Sequence, residues 1–177
     1  MTPRAVMLTG LLAAAVAMAG CAASARSARP APSPVASSTG PGDWWITVSP
    51  CALLSSAQLR GLGLTSPGQL LLGDGPGRAN VCNWRTGGRF LAITLSASPY
   101  TELFAHTGHV SPVSFPGGRR GELDVDSDGT GGCQLTIEAA GGSSALVFMA
   151  GRPVKGPSMC PPAQKVASLI RTEIPRP

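Results

Sequence analysis

Five cysteines, at positions 21, 51, 82, 133 and 160, cannot all be paired within one chain. Cys21 stands apart, because the 22–43 stretch that follows it holds no leucine, isoleucine or aromatic residue. The other four span 51–160 and would pin any fold built from that stretch at two points. Four cysteines allow three pairings. Zinc sites usually place cysteines two to four residues apart, and no such pair occurs here. Nor is there a Cys-x-x-Cys that would suggest a catalytic thiol. Cys51 precedes the first expected helix and Cys82 lies in the first expected hairpin. Cys133 starts a second hairpin and Cys160 precedes the last helix. This near-mirror layout favours Cys51–Cys82 and Cys133–Cys160. Each bond would close a loop of roughly 30 residues and contribute ~3 kcal/mol by restricting the unfolded chain.

Oxidised cysteines imply export, and the N-terminus reads as an export signal. Arg4 is followed by an apolar run, Ala5–Ala19, too short for a comfortable membrane span of about 20 residues. Met18-Ala19-Gly20-Cys21 then places two small residues before a cysteine. That pattern resembles a lipobox, in which Cys21 would be acylated and become the mature N-terminus. Two acyl chains anchor stably where one binds only marginally. The expected organisation is a signal peptide over 1–20, a lipidated Cys21 with a disordered Ala/Ser/Pro tether over 21–43, and one domain over 44–177. Such a tether cannot bury enough surface to offset its ordering entropy. Extended, its 22 residues after Cys21 would reach on the order of 70 Å.

Glycine (23 residues) and proline (17) are too frequent for a helix bundle, and with no strict period they exclude collagen as well. Charged residues are 13% of the chain and the net charge is +5. The basic residues are scattered and not interleaved with aromatics, so no nucleic-acid partner is expected.

Three helices are legible. Ser55 and Gln58 form a capping box, and Gly61 and Gly63 end that helix early. Ser98-Pro99 opens a second helix that carries Leu103 and Phe104 and stops at Gly108. Pro161-Pro162 starts a third, with Ala163, Val166, Ala167, Ile170 and Ile174 on one face and Pro175 as its stop. Val81–Arg85 and Phe90–Ser96 flank Thr86-Gly87-Gly88, a hairpin signal. Cys133–Ala139 and Ala145–Ala150 flank Gly141-Gly142 in the same way. Leu123 and Val125 alternate with acids, which suggests a half-exposed strand, and Trp44–Val48 reads as a short opening strand. No strand–helix–strand units of crossover length recur. The expected class is α+β: an antiparallel sheet of about five strands, two to three helices packed on one face, and two disulfides.

The opening Cys51-Ala-Leu-Leu-Ser-Ser-Ala-Gln-Leu-Arg-Gly-Leu-Gly-Leu64, then Cys82-Asn83-Trp84, Cys133-Gln134-Leu135-Thr136-Ile137 and Cys160 before a C-terminal helix carry a family resemblance. With the lipobox in front, the chain resembles the actinobacterial lipoproteins of domain-of-unknown-function family 3558. The resemblance implies an envelope lipoprotein and supplies no catalytic residues. Trp44-Trp45, just ahead of Cys51, has no counterpart in that pattern.

Candidate sites are few. Trp44 and Trp45 are the ligand-binding candidates, since adjacent strand residues point to opposite faces and one ring could be free to stack. Asp124, Asp126 and Asp128 alternate like the start of a calcium loop, but Leu135 stands where its bidentate glutamate belongs. His106 and His109 flank Gly108 without a nearby carboxylate or cysteine to complete a metal site. Ser143-Ser144 lacks a nucleophile elbow, and Gly151-Arg-Pro-Val-Lys155 lacks phosphate-loop spacing. Arg119-Arg120, after a Pro-Gly-Gly turn, could read an acidic partner. No cofactor is implied. The expected function is non-enzymatic: a binding module on the outer face of the cytoplasmic membrane, held by its lipid anchor and meeting an envelope protein or ligand. A carrier of an apolar or glycolipid ligand is the alternative reading, and an envelope hydrolase is the second.

Overall fold

Gly87 and Gly88 turn the chain at φ 52° and 90°, the left-handed pair that a two-residue hairpin demands. They join two eight-residue strands, β2 (Ala79–Thr86) and β3 (Arg89–Ser96). The computed structural model describes residues 43–73, 79–102, 109–125, 132–151 and 158–177, all within one compact unit, Ser37–Pro177. Five further strands are β1 (Gln69–Leu72), β4 (His109–Phe115), β5 (Arg119–Val125), β6 (Cys133–Glu138) and β7 (Ser144–Ala150). All seven form one sheet in the order β1-β2-β3-β7-β6-β5-β4. Every neighbouring pair is antiparallel.

The sheet therefore has seven strands, not about five. The additional strands are its two edges. β1 is Gln-Leu-Leu-Leu, exposed throughout, and shows no alternation to mark it as a strand. β4 contains Pro112, which lacks the N–H a central strand would need but is tolerated where only one side is paired. The opening segment is also corrected: Trp44–Thr47 is one turn of helix, α1, rather than a strand. Both tryptophans are buried, at 7% and 6% exposure. Trp44 Nε1 donates to Ser143 Oγ at 2.6 Å. Asn80 Nδ2 donates to the Trp45 carbonyl at 2.9 Å.

Strand alternation puts Leu91, Ile93 and Leu95 of β3, Leu135 and Ile137 of β6, and Val147 and Met149 of β7 on one face, all nearly inaccessible. Helix α3 (Cys160–Ile170) packs on β6 and β7 through Ala163, Val166, Ala167 and Ile170. It ends at Ile170; a turn follows, and Ile174 reaches the core from beyond it. Helix α2 (Ser56–Gly61) has the expected capping box, with Ser55 Oγ accepting from Gln58 N and Gln58 Oε1 accepting from Ser55 N. Of the segment expected to be a helix after Pro99, the described part is a single turn in which Glu102 N donates to the Pro99 carbonyl. Residues 103–108 lie outside the described residues.

Cys51 bonds Cys82, tying the short 3-10 turn Pro50–Ala52 to β2. Cys133 bonds Cys160, tying the start of β6 to the start of α3. On the opposite face of the sheet, Phe90 and Phe148 meet edge to face at 5.8 Å, and the Arg85 guanidinium lies 4.9 Å over the Phe90 ring.

Candidate functional site

The structure distributes the sequence candidates rather than gathering them. Cys21, His106, Asp126, Asp128 and Lys155 lie outside the described residues. Trp44 and Trp45 are core residues, so neither offers a free ring face for stacking; this corrects their reading as binding candidates. Asp124 sits inside the sheet on β5, 3% exposed, with both carboxylate oxygens unpartnered. Among the described residues no group of three or more His, Cys, Asp or Glu could hold a metal ion. His109 is exposed at the start of β4. Ser143 accepts from Trp44 and donates to the Ala140 carbonyl, while Ser144 donates to the Ser98 carbonyl at 2.6 Å. Both hydroxyls are thus committed to structural hydrogen bonds.

Arg119 and Arg120 diverge, as neighbours on a strand must. Arg120 takes a two-point contact with Glu138 of β6, Nε to Oε2 at 3.0 Å and Nη2 to Oε1 at 2.6 Å. This is the one ion pair among the described residues. Arg119 turns to the helix-covered side. It is 6% exposed, its Nη2 donates to the Ile174 carbonyl, and its Nη1 is buried without an acceptor.

Arg119 lines a pocket of about 510 Å³ where the β4–β5 turn meets the segment after α3. Arg171 and Arg176 line the same pocket, with Thr172, Ile174 and Gly117. Local structure explains the convergence. Gly117 and Gly118 adopt φ 88° and 77° in the turn that returns the chain from β4 to β5. A side chain at Gly117 would stand 3.8 Å from the Arg176 guanidinium, an ordinary contact, so glycine is required there by its positive φ and not by the arginine. The C-terminal segment is fastened by Ala140 N donating to the Pro175 carbonyl at 3.3 Å.

The electrostatics are one-sided. Burial, then the charges of Arg176 and Arg171, hold the Arg119 pKa below its ordinary value. No carboxylate among the described residues pairs with any of the three. Removing a charge from water without a partner is costly, and an anion in the pocket would offset that cost. The sequence flagged Arg119 through its Pro-Gly-Gly turn. Its bond to Ile174 spans 55 residues, and no local pattern announces a contact of that range.

A second pocket, about 320 Å³, lies between the end of α2 and the start of α3, lined in part by Leu62, Met149, Met159 and Lys165. It is the more apolar candidate, but among the described residues it holds no buried polar atom lacking a partner.

A family model described as a protein of unknown function, DUF3558, matches residues 16–172. No curated protein matches the chain, and no solved structure does.

Proposed function

We infer, for a chain that belongs to the DUF3558 family of proteins of unknown function, a non-enzymatic module that binds an anionic group in the arginine pocket. One observation carries the reading: Arg119, Arg171 and Arg176 line one pocket, and none of the three has a carboxylate partner among the described residues. Like charges brought together repel one another, and an anion between them relieves that repulsion. The commitment of Ser143 and Ser144 to structural hydrogen bonds supports a binding rather than a hydrolytic role. The charge of the pocket favours a polar ligand over an apolar cargo.

In this reading the module works outside the cell, where its two disulfides persist. Cys21 carries the lipid anchor, and the 22–43 stretch holds the domain off the outer face of the cytoplasmic membrane. Support comes from Met18-Ala19-Gly20-Cys21, which falls inside the family match.

The test is thermal unfolding with inorganic phosphate, sulfate and citrate at fixed ionic strength. A ligand at 100 times its Kd stabilises the folded state by about 2.7 kcal/mol, which reads as a rise of several degrees. At least one anion raises Tm, and replacing Arg171 and Arg176 by alanine abolishes the rise. If no anion moves Tm beyond a chloride control, the reading fails.

A further inference from the structure

Resting on the anion-binding reading above, we propose that the group held by the arginine pocket is a dianionic phosphoryl group, a phosphomonoester rather than a carboxylate. Three features of the pocket select it.

The first is donor number. Arg119 gives one Nη2 N–H to the Ile174 carbonyl and Arg171 gives its Nε–H to the Ser168 carbonyl at 3.2 Å, which leaves the Nη1 and Nη2 groups of Arg171 beside the guanidinium of Arg176 on the same pocket. One guanidinium fork satisfies the two oxygens of a carboxylate. A tetrahedral group with three terminal oxygens can accept from two or three guanidiniums at once.

The second is charge. Three guanidiniums line the pocket and none has a carboxylate partner among the described residues. A carboxylate would cancel one charge of three. A phosphomonoester carries close to two negative charges at neutral pH, because its second pKa is about 6.

The third is the space around the charges. The cavity, about 510 Å³, is many times the ~30 Å³ share of one water molecule, so it admits the body of an ester as well as its phosphate. No aromatic residue lines it among the described residues, so it offers no ring on which a nucleobase could stack. A small aliphatic body such as glycerol fits this chemistry. The same headgroup can come from a soluble ester or from phosphatidic acid in a membrane.

The test is calorimetric titration of the full chain with glycerol 3-phosphate, sulfate and acetate, at pH 7.5 and pH 5 and constant ionic strength. At pH 7.5 glycerol 3-phosphate binds at least tenfold tighter than acetate. At pH 5 about nine-tenths of it has become the monoanion, and its affinity falls about tenfold. Arginine is the titratable residue type lining the pocket. Sulfate, a dianion at both pH values, therefore serves as the control and keeps its affinity. Arg171→Ala with Arg176→Ala, both away from the packed core, lowers glycerol 3-phosphate affinity at least tenfold while Tm without ligand stays within a few degrees. Arg119→Lys, which keeps the charge, retains part of the binding.

A second arm uses phosphatidylcholine vesicles containing phosphatidic acid or phosphatidylglycerol. Binding to phosphatidic acid vesicles alone assigns the phosphomonoester to a lipid. Binding to glycerol 3-phosphate without vesicle binding assigns it to a soluble ester. Equal binding to both vesicle types, equal affinity for acetate, or an affinity for glycerol 3-phosphate that does not change between the two pH values overturns the phosphoryl assignment and leaves the anion reading standing. Failure of every anion to bind removes both.

Discussion

Gly121 brings β5 against β6 with no room for a side chain. A methyl group placed there would stand 2.1 Å from the Thr136 carbonyl oxygen and 2.9 Å from a Phe115 ring carbon. The carbonyl belongs to the backbone of a buried strand and cannot swing aside. Beside it the ordinary ladder has stopped: β5 and β6 are paired only over Leu123–Val125, and the Thr136 hydroxyl instead accepts from Glu122 N at 3.0 Å. Gly121→Ala is expected to destabilise the domain by about 3 kcal/mol, the upper range for overpacking a core. Urea unfolding checks this, and a midpoint within error of the parent would mean that the strands part more easily than this packing allows. Nothing around Gly121 in the sequence hints at the contact, because the crowding atom is 15 positions away on the next strand. Asp124 teaches the same lesson from the other side. The alternation of acids with Leu123 and Val125 suggests that the acids face water. In the sheet, Asp124 is flanked by Val110 of β4 and Gln134 of β6 and is buried, while Val125 is exposed. Alternation identifies the two faces of a strand but does not say what stands on either side of it.

At the scale of elements, the Arg120–Glu138 pair bridges β5 and β6 across the region where their backbone pairing has ended. The hydrogen bond from Arg120 holds the Glu138 carboxyl below its ordinary pKa of 4.5; partial burial opposes this and the Arg120 charge adds to it. A depressed carboxylate stabilises the fold fully above its unfolded pKa, and the benefit is lost as pH falls through the lower folded value. Glu138→Gln is therefore less stable than the parent at pH 7, and the difference closes as the pH drops below about 4.5. Melting curves from pH 7 to pH 3 read it. A constant offset between the two proteins would show that the contact acts through packing rather than charge. What the sequence disclosed at this scale follows physical lines. The capping box at Ser55 and the apolar stripe of α3 were legible because each is a local pattern with a local cause. The glycine hairpin between β2 and β3 was legible because positive φ needs glycine. The two edge strands were hidden because an edge has no second partner, and so escapes the alternation and the proline ban that mark interior strands. Trp44-Trp45 departs from the strand expectation for a related reason. Two adjacent aromatics fit a strand by propensity, yet as one turn of helix both side chains reach the core. Of the arginine pocket, Arg119 could be singled out; its meeting with Arg171 and Arg176 depends on how α3 returns the chain to the β4–β5 turn.

At the scale of the whole molecule, the question is where the folding unit starts. The composition places the change from tether to domain between positions 43 and 44, and Trp44 is the first buried side chain among the described residues. Trp44 and Trp45 lie well outside the disulfide framework, ahead of Cys51, and nothing covalent holds them to the sheet. They are held by burial, by the Trp44–Ser143 hydrogen bond and by Asn80 on the Trp45 carbonyl. Losing one buried tryptophan costs about 3–5 kcal/mol, against a total stability of about 5–15 kcal/mol for a domain. A chain beginning at Asp43 should therefore match the full chain in urea midpoint, because it keeps both indoles. A chain beginning at Pro50 keeps all four paired cysteines and every strand, yet should lose more than about 5 kcal/mol and be largely unfolded at 37 °C. Tryptophan fluorescence follows both transitions, since Trp84 remains in the core. Equal stability of the two truncated chains would mean that α1 is not part of the cooperative unit. A loss already present at Asp43 would mean that residues before it contribute to the fold, and the boundary would move toward Cys21.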